Sequence, residues 1–341
     1  MSNESSLAKQ VAECLDRCPE ISHDAKYWFV RTEGGLLFEP FITSQSIAIG
    51  HPSISLETIK LARPDDPKAK KALTKQIAIN EPKFERPGLA ANQLLKFVHE
   101  MKEGDFVIIP SDGSAQLAVG KINGPPFEKE LTFEGNHFHA FRKRRKVKWL
   151  ERVDREKTNP NLYRVFWTHQ TITDITQASH WIDTLLYQFF KKGQKYHCVF
   201  DINERSGIKA RDLFESAVDI FKLSDDFATE IGIHEDSQAM ETRINLNSPG
   251  EWELITDAAK YIFVVGSIVL LLNGGGLKMT VKKMGLDVSL STVGLIKAIS
   301  DFLNDRKNRQ MKDAVTKKLE ALQLSEPKEV VKMIEQMNKK K

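Results

Sequence analysis

The sequence predicts an α+β protein in which a β-barrel with flanking helices is followed by a smaller α/β region and a helical tail. Three observations support this fold class. Short apolar runs bounded by glycine and proline predict strands in the first half of the chain. Stretches with helical spacing of apolar residues are more frequent in the second half. The length of 341 residues suits two domains with cores of their own.

The barrel prediction is centred on residues 104–126, GDFVIIPSDGSAQLAVGKINGPP. The apolar run Phe106–Ile109 is too short for a helix and ends at Pro110, so it predicts a strand. Gly120 lies inside the next extended run, where a glycine usually marks a bulge or a close approach of two backbones. The sequence Gly124-Pro125-Pro126 is expected to end this second strand.

Further elements of the barrel region are expected on the same grounds. Strands are predicted at Tyr27–Arg31, Phe38–Ile42 and Ser46–Gly50. Helical spacing predicts a helix within residues 88–103 that packs against the barrel, and a short amphipathic helix within residues 1–20.

The run GDFVIIP followed by LAVGKINGPP resembles the PUA-like domains, which include the EVE branch and the N-terminal modules of some modification-dependent restriction proteins. The upstream stretch YWFVRTEGGLLFEPFITSQSIAIGH looks like the first strands of that family, and RKVKWLERV looks like its closing strand. The resemblance covers about residues 25–176. Such domains hold a flipped, often methylated base in an aromatic pocket, so the resemblance implies a base-binding barrel.

The resemblance also implies which residues would contact the base. Two tryptophans would stack on it, and the step from Ile49 to His51 would approach its edge. The residues expected to bind the base are Trp28, Arg31, Ile49, Gly50, His51 and Trp149. The alternatives of a core tryptophan at position 28 and a satisfied surface histidine at position 51 stay open.

Residues 141–153, FRKRRKVKWLERV, carry the strongest local charge, because six of the seven residues from position 142 to 148 are basic. The formal net charge of the chain is only +4, so a nucleic acid would have to be bound by a local patch. Within the resembled domain, the expected phosphate contacts are Arg142, Lys143, Arg144, Arg145, Lys146 and Lys148. A nuclear-localisation-like run and a solvated edge strand are the alternatives.

Other chemistry is weakly indicated. His137 and His139 would share one face of a strand but lack a further ligand, so neither a metal nor a cofactor is expected. The nucleotide-binding and hydrolase motifs are absent, and Asp201 with Glu204 and Lys209 lacks the E-x-K spacing of a nuclease strand. A non-enzymatic protein is therefore expected, and a metal-dependent nuclease with an unrecognised site is an alternative.

Three cysteines without a framework indicate a reducing compartment, and MSNESSLAKQ lacks the apolar region of a signal peptide, so a cytoplasmic location is expected. The most apolar run, Ala258–Leu272, is shorter than the roughly 20 residues of a membrane span and predicts a buried helix. A membrane-acting segment is the alternative for this run. A glycine elbow at 274–276 and a hairpin near Met284-Gly285 are expected to follow.

The predicted organisation has four parts: an N-terminal helix (1–24), the PUA-like barrel (25–176), an α/β effector or assembly domain (177–304) and a charged, solvent-facing helical tail (305–341). The predicted function is binding of DNA or another nucleic acid at a modified, for example methylated, base. A sensor role in bacterial anti-phage defence is expected, with homo-oligomerisation through the C-terminal half and no membrane partner. A membrane-acting defence effector is the alternative that uses residues 258–272.

Overall fold

A computed structural model describes the chain over residues 5–204, 207–235, 238–245, 250–273 and 294–338. The predicted glycine elbow and the hairpin near Met284-Gly285 lie outside these residues. Internal contacts divide the chain into a middle unit, residues 24–186, and a terminal unit, residues 1–23 together with 187–341.

The chain up to residue 186 contains both strands and helices. The strands are β1 (Glu20–Ile21), β2 (Tyr27–Val30), β3 (Ser46–Ile49), β4 (Phe106–Pro110), β5 (Gln116–Glu128), β6 (Leu131–Phe133), β7 (Asn136–Phe138), β8 (Lys143–Asp154) and β9 (Ile172–Asp174). The α-helices are α1 (Ser6–Leu15), α2 (Phe38–Thr43), α3 (Leu56–Leu61), α4 (Pro67–Asn80), α5 (Pro87–Leu95) and α6 (Ser179–Leu186). A π-helical turn, Lys96–Glu100, continues α5, and Pro160–Trp167 forms a 3₁₀ segment.

The middle unit contains a six-stranded sheet in the order β3-β8-β5-β4-β2-β9, which curls into a half-barrel. The pair β2–β4 is parallel, and the other pairs are antiparallel. One face of the sheet packs with α2 to α5 around a core that includes Trp28, Phe41 and Phe97. Helices pack against this face because alternate strand residues such as Val107 and Ile109 are apolar and fully buried.

Two predicted elements of this unit are wrong. The predicted strand Phe38–Ile42 is the helix α2, and Pro40 lies in its first turn, where no intrahelical N–H bond is needed. The predicted stop at Gly124-Pro125-Pro126 is a bulge, and β5 continues through it to Glu128. Prolines are tolerated there because the shift of register removes the need for a ladder N–H.

The terminal unit contains a five-stranded sheet in the order β1-β10-β11-β13-β12. Its further strands are β10 (Phe189–Lys192), β11 (Lys195–Ile202), β12 (Glu241–Asn245) and β13 (Gly250–Thr256). Its further helices are α7 (Ala210–Glu230), α8 (Ala259–Leu272), α9 (Gly294–Asn304), α10 (Arg309–Leu322) and α11 (Lys328–Asn338). Within residues 179–193, the helix α6 is followed by the strand β10.

The helix α8 lies at the centre of the terminal unit and confirms the predicted buried helix at Ala258–Leu272. Its 14 residues reach about 21 Å, and among the described residues no helix is both long and apolar enough to span a membrane. The charged tail is not solvent-facing throughout. Its helices α10 and α11 bury Leu319 and Ile334 in the core around α8, because each helix has one apolar face.

Candidate functional site

A groove of about 680 Å³ opens on the middle unit where β8 runs between β3 and β5. Its lining combines amide, aromatic and basic side chains. The lining residues are Ser44, Gln45, Asn123, Phe127, Lys129, Arg144, Lys146, Val147, Lys148 and Trp149. Four of these ten residues are basic and none of the ten is acidic, so the groove is a site of positive potential.

The bulge in β5 shapes one wall of the groove. The register of β5 against β8 shifts between Ile122 and Pro126, which places Asn123 outside the ladder. Gly124 adopts φ +125°, and its carbonyl accepts a hydrogen bond from Nη1 of Arg145 at 3.2 Å. After the bulge the strand resumes, and Phe127 lies opposite Arg144 with its ring 5.7 Å from the guanidinium carbon.

Trp149 forms a second aromatic part of the lining. Its Nε1 donates a hydrogen bond to the carbonyl of Phe41 at 3.1 Å, which fixes the half-buried ring. A Cβ on Gly120 would lie 2.4 Å from Cγ1 of Val147 and 2.8 Å from Cε3 of Trp149. Only glycine leaves room for these two side chains over β5. The predicted bulge at Gly120 is confirmed, because the register of β5 against β8 shifts between Val119 and Gly120.

Three exposed lysines supply most of the charge in the groove. Lys146 and Lys148 are exposed on either side of the buried Val147, as expected for alternation along a strand. Lys129 is exposed as well, and within the described residues none of these three lysines forms an ion pair. Three ammonium groups are therefore available to an anionic ligand.

The other basic residues of the run from Arg142 to Lys148 divide by exposure. Arg142 is exposed, whereas Lys143 is only 1% exposed and donates from Nζ to the carbonyls of His51 at 2.7 Å and Ile54 at 3.0 Å. Burial lowers the pKa of the Lys143 ammonium. Two of its three N–H donors serve backbone carbonyls and the side chain is buried, so a phosphate contact from Lys143 has no support in this geometry.

Arg144 and Arg145 are also buried, at 5% and 3% exposure. The Arg144 guanidinium donates to Oγ of Ser46 at 2.6 Å and to the carbonyl of Glu130 at 3.1 Å. Arg145 donates to the carbonyls of Phe97 at 2.6 Å and Val98 at 2.9 Å in the π-helical turn, and burial lowers its pKa to about 10. Both side chains thus satisfy backbone carbonyls, and of the six expected phosphate contacts only Arg142, Lys146 and Lys148 are exposed.

Trp28 is fully buried, and its indole N–H donates to Oδ2 of Asp105 at 2.8 Å. Asp105 also accepts the backbone N–H groups of Lys26 at 3.0 Å and Lys102 at 2.9 Å. Trp28 is therefore a core tryptophan, which was the alternative to stacking on a base, and its ring faces are covered. Ile49 is 1% exposed and belongs to the same core.

His51 lies outside the groove lining and has an unusual backbone, with φ +63°. Its Nδ1 contacts Oε2 of Glu81 at 2.7 Å, and its ring meets the ring of Phe84 edge to face at 4.9 Å. Gly50 and Arg31 are half-buried and do not line the groove. Of the six residues expected to bind a base, Trp149 alone lines it.

The rings of His137 and His139 are nearly parallel at 5.6 Å and both contact Oε1 of Glu130, although β7 ends at Phe138 and His139 lies beyond it. In the part of the chain that the structure describes, no group of three or more potential ligands could hold a metal ion.

In the terminal unit, Asp201 on β11 lies directly opposite Glu251 on β13. Burial first, and then the charges of Asp201 and Glu253, raise the pKa of Glu251 to about 7.

The sequence alone did not identify several groove residues, namely Ser44, Gln45, Asn123, Phe127 and Lys129. The Gly124-Pro125-Pro126 motif was a usable signal, because a Gly-Pro step after an alternating strand is compatible with a bulge as well as with a stop. Reading it as a bulge would have placed Phe127 beside the basic strand.

A family described as "Domain of unknown function (DUF8426)" matches residues 34–176, a range that contains all the groove residues. Comparison with curated proteins and with solved structures yields no match.

Proposed function

We propose that the middle unit binds a nucleic acid, with the phosphates near the exposed lysines of the groove and a base near its aromatic rings. The observation that carries this proposal is the lining itself, in which Phe127 and Trp149 accompany four basic and no acidic residues. Stacking on an aromatic side chain contributes roughly 1–3 kcal/mol per base, and lysines that replace counterions add a term independent of sequence.

The resemblance of residues 25–176 to PUA-like domains supports a flipped, modified base as the ligand. Flipping costs a few kcal/mol, which stacking could offset. The resemblance to modules of modification-dependent restriction proteins is the basis for proposing a cytoplasmic, non-enzymatic sensor in bacterial defence. The terminal unit would then provide the assembly function, for example through homo-oligomers.

The test is fluorescence anisotropy with labelled 12-mers, single-stranded and duplex, with and without a methylated base. The double variant Lys146→Glu/Lys148→Glu should bind at least about tenfold more weakly than wild type, because two phosphate contacts become repulsive. The matched control is Lys71→Glu/Lys75→Glu, which reverses two exposed charges on α4 and should retain wild-type affinity.

A second arm tests the aromatic part. Trp149→Leu should weaken binding by about 5- to 150-fold, which corresponds to roughly 1–3 kcal/mol of stacking, while its circular dichroism stays that of a folded protein. The proposal fails if the wild-type chain binds none of the oligonucleotides, or if the control on α4 loses as much affinity as the groove variant. Equal affinity for methylated and plain 12-mers would remove the modified base from the proposal.

A further inference from the structure

We infer that the groove binds a single strand that runs along β8, with one base on the ring of Phe127 and a different base on the ring of Trp149. This inference rests on the proposed function and adds to it the strandedness and the length of the ligand. Three observations support it: the fixed positions of the two rings, their separation along β8, and the exposed lysines between them.

The structure holds each ring at a defined rung of the ladder between β5 and β8. Phe127 is paired with Arg144, and the guanidinium carbon of Arg144 lies 5.7 Å from the centre of the Phe127 ring. Trp149 is paired with Gly120, and its Cε3 lies 2.8 Å from the position that a Cβ of Gly120 would take, so the indole covers that glycine. Both rings are half-buried, so the protein covers part of each ring and the remainder lines the groove.

The two rungs are too far apart for one base to contact both rings. Arg144 and Trp149 are five residues apart on β8, which corresponds to about 17 Å at the usual rise of a strand. The odd separation also directs their side chains to opposite faces of the strand, and Phe127 lies on the face of its partner Arg144. Neighbouring stacked bases are only about 3.4 Å apart. A ligand that uses both rings must therefore place different bases on them.

Exposed lysines lie on β8 between the two rungs. Lys146 and Lys148 are exposed on this stretch of β8, and Lys129 lines the same groove. Phosphates link neighbouring nucleotides, so a strand with bases at both rings would carry its phosphates past these ammonium groups. At about 3.4 Å per stacked nucleotide, the two rungs are roughly five steps apart, and a more extended strand needs fewer steps. The groove therefore suits about four to six nucleotides, within the site sizes of single-strand binders.

A duplex does not meet these requirements. The faces of its bases are hidden in the stack, and one flipped base would reach only one of the two rings. A single strand exposes successive base faces on a flexible backbone, so it can follow β8 from one ring to the other.

The first experiment varies the length of the ligand. Fluorescence anisotropy measures the affinity of the full chain for labelled single strands of two, four, six, eight and twelve nucleotides, all taken from one mixed sequence, and for the duplex of the longest. Wild type should bind six nucleotides at least about tenfold more tightly than two, because only the longer strand reaches both rings. Beyond six nucleotides the affinity should rise only with the number of possible registers, and the duplex should bind about tenfold more weakly than its single strand.

The second experiment removes the rings one at a time. Phe127→Leu and Trp149→Leu should each weaken binding of the six-nucleotide strand by at least about fivefold, which is the loss of one stacked base. The double variant should lose about the product of the two factors, because the rings act independently. Two nucleotides use one ring at a time, so at least one of the single variants should keep their affinity within about twofold of wild type.

Two variants serve as controls. Trp167→Leu removes a ring that is 72% exposed and does not line the groove, so it should keep the wild-type affinity for six nucleotides. Phe127→Tyr keeps a ring at its rung and should keep most of the affinity. Circular dichroism of each variant shows whether it is folded, so a loss confined to Phe127→Leu reports the ring itself.

Three results would each overturn the inference while the proposed function stands. These are two nucleotides bound as tightly as six, a duplex bound as tightly as its single strand, and an affinity for six nucleotides that Phe127→Leu leaves unchanged or lowers no more than Trp167→Leu does. A single base held between both rings would give the first of these results. Absence of binding to every oligonucleotide would instead overturn the proposed function itself.

Discussion

Two tryptophans of the middle unit use their indole N–H groups in different ways. Trp28 donates to the carboxylate of Asp105, which also accepts two backbone N–H groups, and the whole arrangement is buried. Trp149 donates to a backbone carbonyl and leaves part of its ring at the groove. A buried charged acceptor with three donors holds Trp28 in the core, because losing one partner of a buried charge is costly. Trp149 is the one of the two that can contact a ligand.

Glu251 in the terminal unit has a pKa of about 7 in the folded chain, raised first by burial and then by the charges of Asp201 and Glu253. A carboxyl group with a raised pKa favours the folded state at low pH, and this contribution is lost as the pH rises from the ordinary value of 4.5 through 7. Glu251→Gln should therefore stabilise the chain relative to wild type by roughly 1–3 kcal/mol at pH 8 and by little at pH 4.

Urea unfolding of both proteins at the two pH values measures this difference. Glu320→Gln, which changes an exposed carboxyl group on α10 that forms no ion pair within the described residues, is the control. If Glu251→Gln gave the same gain at pH 4 as at pH 8, the ionised carboxylate would not be the cause.

At the scale of elements, the groove is produced by two irregularities in one strand. β5 shifts register against β8 at Gly120 and again between Ile122 and Pro126. The first shift lets Val147 and Trp149 lie over the strand, and the second turns Asn123 and Phe127 toward the groove. Bulges re-aim side chains in this way at functional positions of many sheets.

Gly120→Ala should destabilise the chain by about 1–3 kcal/mol, because the new methyl group would meet Val147 and Trp149 well inside van der Waals contact. It should also weaken oligonucleotide binding, since the Trp149 ring must move. Chemical denaturation and anisotropy measure the two effects. Gly50→Ala is the matched control, because its added Cβ would lie 3.8 Å from Phe141, an ordinary contact. Similar losses in both variants would contradict the role assigned to Gly120.

The sequence was sufficient to predict the short strands Tyr27–Val30 and Phe106–Pro110, the apolar helix α8 and the bulge at Gly120, because each depends on local patterning. It did not predict which residues of the basic run are buried. Lys143, Arg144 and Arg145 lie on an interior strand and satisfy carbonyls from segments distant in sequence, among them Phe97 and Ile54. These hydrogen bonds to distant carbonyls depend on tertiary structure. Composition and local charge contain no information about them.

At the scale of the whole molecule, the charges nearly balance, with 50 basic and 46 acidic residues. A long-range attraction for nucleic acid is therefore weak, and the proposed interaction would be local to the groove. If Lys129, Lys146 and Lys148 each neutralise one phosphate of a single strand, the slope of log K against log salt should be about −2.

The slope is measured by titrating wild type with an oligonucleotide at several salt concentrations between roughly 50 and 200 mM. Over this range the logarithm of the binding constant falls linearly with the logarithm of the salt concentration. Lys146→Gln/Lys148→Gln should reduce it to about −0.7, because one phosphate contact remains. A slope near zero in the wild-type chain would show that the lysines do not contact phosphate.

The terminal unit is discontinuous, since residues 1–23 and 187–341 share one set of contacts and β1 pairs with β10 across that interval. During synthesis on the ribosome, β1 and the apolar face of α1 emerge early. Their native partners exist only after the chain beyond Leu186 has been translated. The middle unit is complete by then and can fold first, whereas the N-terminal helix stays without its native partners throughout that time. Translation speed and nascent-chain chaperones therefore bear on the yield of the terminal unit more than on that of the middle one.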